Sequence, residues 1–129
     1  MTFRLFDALT ATGQNKLKAW TESLQKIPRG KLNARLDMLM LHGDALFPEI
    51  LTGTNTPGIL KLRVKGNVQL RPMLCKGPVD IEREFTLLLG AKEVGGELKP
   101  ADADSTAGAI RDEVRVSPAT RRTDHERVS

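Results

Sequence analysis

The sequence predicts an α+β domain: an N-terminal helical hairpin packed on a small antiparallel sheet, with a C-terminal helix and an extended tail. Three observations predict it. Residues 59–92 (ILKLRVKGNVQLRPMLCKGPVDIEREFTLLLGAK) read as three strands, the first two alternating apolar and polar side chains in the period of a sheet with one buried face. Upstream, Leu17, Trp20, Leu24 and Ile27, then Leu32, Leu36, Leu39 and Met40, recur at the three- and four-residue spacing of amphipathic helices. Between the two stripes stand Pro28 and Gly30, helix breakers that leave a short connection and so an antiparallel pair.

Taken in order, residues 3–6 predict a short edge strand. Thr10 or Thr12 is placed to cap the first helix, which runs to about Lys26. The second helix ends at His42-Gly43, and the turn-rich residues 48–58 lead into the sheet. There Leu60, Leu62 and Val64 alternate with Lys61, Arg63 and Lys65, and Val68, Leu70 and Leu74 with Gln69, Arg71 and Met73. A two-residue Gly66-Asn67 turn mixes cations and apolar groups on each face. A three-residue loop, Lys65-Gly66-Asn67, instead pairs Val64 with Val68, Leu62 with Leu70, Arg63 with Gln69 and Lys61 with Arg71. That register gathers Lys61, Arg63 and Arg71 beside Gln69. Like charges set opposite one another cost stability unless an anion or carboxylate sits among them, so this group is the candidate surface for an anion or a partner.

Lys76-Gly77-Pro78 opens a longer connection to the third strand, residues 84–90. Gly95-Gly96 supplies a turn before a third helix over about 100–116, weakened by Gly108. Residues 1–116 thus form a single domain. Residues 117–129 (SPATRRTDHERVS) carry mixed charge and no core, so alone they should be disordered. In a larger assembly Arg121, Arg122 and Arg127 would anchor this tail to acidic surfaces, with Val128 as a small apolar plug.

Composition narrows the function classes. The 129 residues are 40% hydrophobic and 28% charged, ordinary for one globular domain. A net charge of +4 suits an acidic partner or nucleic acid. With four Phe, one Trp and no Tyr, the chain lacks the rings of a base-stacking single-strand binder. A single cysteine, Cys75, excludes an internal disulfide and reads as a core filler. Two histidines and one cysteine without Cys-x-x-Cys or His-x-x-x-His spacing predict no metal site, and no phosphate-loop pattern implies a cofactor. Arg4 and Asp7 interrupt the N-terminal apolar run, which argues against a signal peptide, and no stretch reaches the length of a membrane span. The expected location is a virion or a host cytoplasm.

Three stretches resemble the RelE/ParE/HigB superfamily of small toxins, in particular its phage-associated branch. The leucine stripe of residues 32–47 with its His42-Gly43 exit looks like the second helix of that family. Residues 57–64 (PGILKLRV) are similar to its Gly-hydrophobic-x-x-Leu-Arg-Val strand, with Arg71 matching the arginine that opens the next strand. Residues 85–92 (FTLLLGAK) look like the strand that ends Leu-Leu-His-Gly-Phe before lysines. The resemblance spans roughly residues 15–115 and implies a RelE-like fold. For an active toxin it implies a ribosome-dependent messenger RNA endonuclease, held in check by an antitoxin, with Lys61, Arg63, Arg71 and Lys92 gripping phosphate. A Tyr or His would then move the proton of the attacking 2′-hydroxyl. Here Leu89 stands where that His would be, Ala91 replaces the Phe, and no Tyr exists. His42 reads as a helix-end residue, and His125 reaches the sheet only if the tail folds back. The expectation is therefore a non-catalytic phage-type structural or interaction protein, a virion component such as capsid decoration or a head–tail part, bound to protein partners in a multi-subunit assembly. The alternative is the interferase.

Overall fold

The computed structural model describes residues 2–129. The chain runs through β1 (Arg4–Ala8), α1 (Lys16–Ser23), α2 (Lys26–His42), a 3-10 turn, and the strands β2 (Leu51–Gly53), β3 (Leu60–Leu62), β4 (Gln69–Leu70) and β5 (Met73–Lys76). It continues through β6 (Glu84–Leu89), β7 (Lys92–Val94), β8 (Glu97–Lys99), α3 (Ala103–Val116), α4 (Pro118–Arg121) and β9 (Arg122–Asp124). Six strands form one sheet in the order β2-β3-β5-β6-β1-β9, and β4, β7 and β8 form a small second sheet.

Alternating side chains decide the layers. Leu5, Leu62, Leu74, Phe85 and Leu87 pack in one core with Leu17, Leu32, Leu36 and Leu39 of α1 and α2. Their neighbours Ala8, Met73, Cys75 and Leu88 pack in a second core with Ala103, Ala107 and Val114 of α3. Successive residues of a strand point to opposite faces, so the apolar run of β6 is the mark of a strand covered on both sides. The result is a mixed α+β chain with helices on each face of the sheet.

Several expectations are corrected. The sheet is mixed, because β1 runs parallel to β6, and β1 lies inside the sheet between β6 and β9. The helical hairpin breaks at Leu24-Gln25, before Pro28 and Gly30, both of which lie within α2. Pro28 is the third helical residue, where the backbone N–H would have no intrahelical acceptor, so proline is tolerated. The cap of α1 is Asn15, whose Oδ1 accepts from the Lys18 amide at 2.9 Å. Thr10 instead closes a turn by accepting from the Gln14 amide. The end of α2 at His42, with Gly43 at φ +50° as its cap, agrees with the sequence pattern.

The β3–β5 register is displaced by two residues from the expected one. Val64 bridges Leu70, and Leu60 and Lys61 pair with Leu74 and Met73. A shift of two keeps every side chain on its predicted face. The separate tail is also corrected. Residues 122–124 are the sixth strand, antiparallel to β1, and the His125 amide donates to the Leu5 carbonyl at 2.9 Å.

Candidate functional site

Three of the four residues expected to form the basic surface do meet. β3 sends Lys61 to the face of the sheet that α3 covers, opposite to Leu60 and Leu62. Gln69 and Arg71 flank the start of β5, and the Arg71 amide is tied to the Ala91 carbonyl at 2.8 Å. At their centre stands a residue that was not expected there. Glu93 of β7 lies 3.4 Å from Arg71 Nη2 and 3.9 Å from Lys61 Nζ.

Arg71 is a buried cation held in place. Its side chain is 6% exposed; Nη1 donates to the Leu70 carbonyl at 2.8 Å and Nη2 to Gln69 Oε1 at 3.2 Å. Nε is a buried nitrogen with no hydrogen-bond partner. Arg63 points elsewhere, its Nη1 donating to the Glu49 carbonyl at 3.4 Å. Lys92 precedes Glu93 on β7, so its side chain leaves from the other side of that strand and stays exposed.

Lys61 and Glu93 form part of a cleft of about 570 Å³ between the β2–β3 loop, the β7–β8 hairpin and the first turn of α3. Its charged lining is one lysine, Lys61, against three carboxylates: Glu93, Glu97 and Asp104. Asp104 is already hydrogen-bonded to the Thr56 hydroxyl at 3.0 Å. A phosphate backbone entering here meets net negative charge, whereas the sequence alone suggests a cationic floor. Among the described residues no three His, Cys, Asp or Glu side chains form a group able to hold a metal ion.

The histidine that could serve as acid or base sits far from this cleft. The tail does fold back, and His125 Nδ1 lies 2.8 Å from Asp7 Oδ1, with side chains 9% and 2% exposed. Asp7 Oδ2 accepts from Asn15 Nδ2 at 2.9 Å. Asp7 shares the face of Leu5, toward α1 and α2, while Lys61 lies on the α3 face. Three strand steps, roughly 14 Å, separate the two positions in the sheet. Leu89 packs against the α3 core and Ala91 is 1% exposed, so neither position opens a space for a proton-transfer group.

The tail arginines have partners within the chain. Arg121 Nη2 lies 3.2 Å from Glu113, Arg122 Nη1 donates to Glu84 Oε1 at 2.8 Å, and Arg127 Nη1 reaches Asp37 at 2.8 Å. Burial pushes the Glu84 carboxyl upward, but the Asp80 amide, the Arg122 guanidinium and the Val79 amide outweigh it and hold it below its ordinary range. Cys75 is buried, and desolvation raises its thiol to about 11 despite the charges of Arg111 and Arg115. That environment suppresses the thiolate and fits the role of core filler.

Sequence reasoning missed Glu93 and Asp7, and both left a signal. Residues 92–99 read KEVGGELK, two short segments on either side of Gly95-Gly96, the turn signal of a hairpin. Asp7 stands in the apolar run LFDAL, where a carboxylate needs a buried partner. No helix among the described residues is long and apolar enough to cross a membrane. Comparison with protein-family models, with curated proteins and with solved structures finds no match to this chain.

Proposed function

We propose that this chain is a non-catalytic interaction protein with a RelE-like, toxin-related fold, serving as a structural component of a phage-type particle, either as capsid decoration or at the head–tail junction. One observation carries the loss of catalysis: the Glu93 carboxylate occupies the centre of the Lys61–Gln69–Arg71 group, with His125 on the other face of the sheet. A phosphorane needs free cations and a proton donor within hydrogen-bond reach, and this arrangement offers neither together. The helical pair α1–α2 ahead of strands β2 to β8, with α3 after them, supports this reading of the fold. Outward-facing Phe47, Val79 and Ile81, 36%, 60% and 56% exposed, supply apolar contact surface for a protein partner.

The test is induced expression in a bacterial host, followed by growth and by primer-extension mapping of transcripts. Normal growth with intact transcripts, from soluble folded protein, is the expected result. Growth arrest with codon-positioned cuts, abolished by Arg63→Ala or Arg71→Ala in variants that still fold, would overturn the proposal in favour of an interferase.

A further inference from the structure

The C-terminal segment has an unusual attachment. No residue of 117–129 is buried, so it adds nothing to either core. What lies beneath it is a finished polar receptor. Asp7, Asn33 and Glu84, only 1%, 5% and 5% exposed, take hydrogen bonds to His125, to the Val128 carbonyl and to Arg122 at 2.8 Å each. Ion pairs at the surface complete it: Arg4 with Asp124, Lys18 with Glu126, and Arg127 with Asp37. Buried polar groups of this kind require their partners, so the receptor is occupied in the stable molecule. Nothing in the chemistry requires that the occupant come from the same chain.

We propose that residues 117–129 are an exchange arm, and that the partner is a second copy of this chain. In the exchanged pair, β9 of each copy adds to β1 of the other, and the bonds of the arm to Asp7, Asn33, Glu84, Arg4, Lys18 and Asp37 re-form in trans. This rests on the interaction-protein reading above and names its partner. Three features favour a second copy. The receptor is matched along its length to this one sequence, cation to carboxylate and carbonyl to amide, in the register Phe6–Asp124, Asp7–Thr123 and Ala8–Arg122. The tether is short, with Ser117 linking α3 directly to Pro118, and short hinges promote exchange. At that hinge Val116 is 82% exposed, an apolar side chain at the place where two exchanging copies would face each other.

The test uses full-length chains with the surface pairs reversed. One variant carries Arg4→Asp and Asp37→Arg in the receptor; the other carries Asp124→Arg and Arg127→Asp in the arm. All four side chains are more than half exposed, so folding should survive, which melting curves check. Each variant alone sets like charges together, whether its arm docks at home or on an identical copy. Mixed, the two match in both directions. Native mass spectrometry of the equimolar mixture should show the heterodimer about tenfold above either homodimer. A mixture that stays monomeric, or dimers in the statistical one-to-two-to-one ratio, would overturn the exchange. Asp37→Arg with Arg127→Asp alone repeats the comparison with less perturbation. A negative result here leaves the growth and transcript test untouched, so the two proposals fail separately.

Discussion

At the scale of single residues, the chain resolves its most expensive electrostatic problem with Glu93. Arg71 is nearly buried, and a buried guanidinium without a carboxylate is strongly destabilising. The expected register sets Lys61 and Arg71 opposite each other, and the remedy is a carboxylate among them. We expect Glu93→Gln to destabilise by about 1–3 kcal/mol in urea titration, reduced from the fully buried case because Glu93 is 26% exposed. Adding Arg71→Met to that variant removes the orphaned charge and should recover about half of the loss. If the double variant is less stable than the single, Arg71 acts through packing or its backbone contacts instead. Cys75 gives a second prediction. Its thiol is raised in the folded state, so its contribution to stability is complete below the unfolded value near 9 and declines as pH rises through about 11. Native protein at pH 8 should resist iodoacetamide over hours and label fully in urea. Rapid labelling of the native chain would mean that the strand opens.

At the scale of elements, β9 is stapled to the sheet by Arg122 and Glu84, and pH reads that contact. Glu84 is held below the ordinary carboxylate value in the folded state, so the stabilisation is present above about pH 4.3 and is lost as pH falls through the lowered folded value. Arg122→Gln should therefore cost about 1–3 kcal/mol at pH 7 and less at pH 3, measured by thermal melting at both. An equal cost at both values would assign Arg122 to packing on Phe6, whose ring lies 3.8 Å below its guanidinium. Much of this scale was legible from the residues. The leucine stripe of α2, the Gly43 cap and the third strand follow from spacing. What misled was local propensity read without position. Pro28 and Gly30 look like a break, yet a proline in the first helical turn removes no hydrogen bond. Gly90 reads as the last residue of the third strand; the strand ends at Leu89, and the Gly90 backbone lies against the Trp20 ring, which a side chain there would strike. The β7–β8 hairpin was hidden because three-residue strands carry too little pattern to stand out.

At the scale of the whole molecule, the tail shows why composition alone misjudges order. Residues 117–129 carry only Pro118, Ala119 and Val128 as apolar side chains, too little to offset their ordering entropy, so as an isolated peptide they belong with disordered chains. They are ordered because the body of the domain presents buried Asp7, Asn33 and Glu84. No local reading of the tail can see those groups, since each lies 38 to 118 positions away in the sequence. Stability is then shared between the two sides of the contact. Truncation after Arg121 removes the sixth strand, strips the buried carboxylates of Glu84 and Asp7 of their Arg122 and His125 partners, and leaves β1 as an open edge. Water enters the vacated groove and softens the penalty, so we expect a loss of about 3 kcal/mol, equivalent to roughly 10 °C in melting temperature for a domain of this size. The open β1 edge should also make the truncated chain prone to concentration-dependent association, visible by light scattering. A truncated protein that melts with the full chain and stays monodisperse would show that the sheet is complete without its arm. The apolar cores on either side of β6 would then be the sole determinant of the fold.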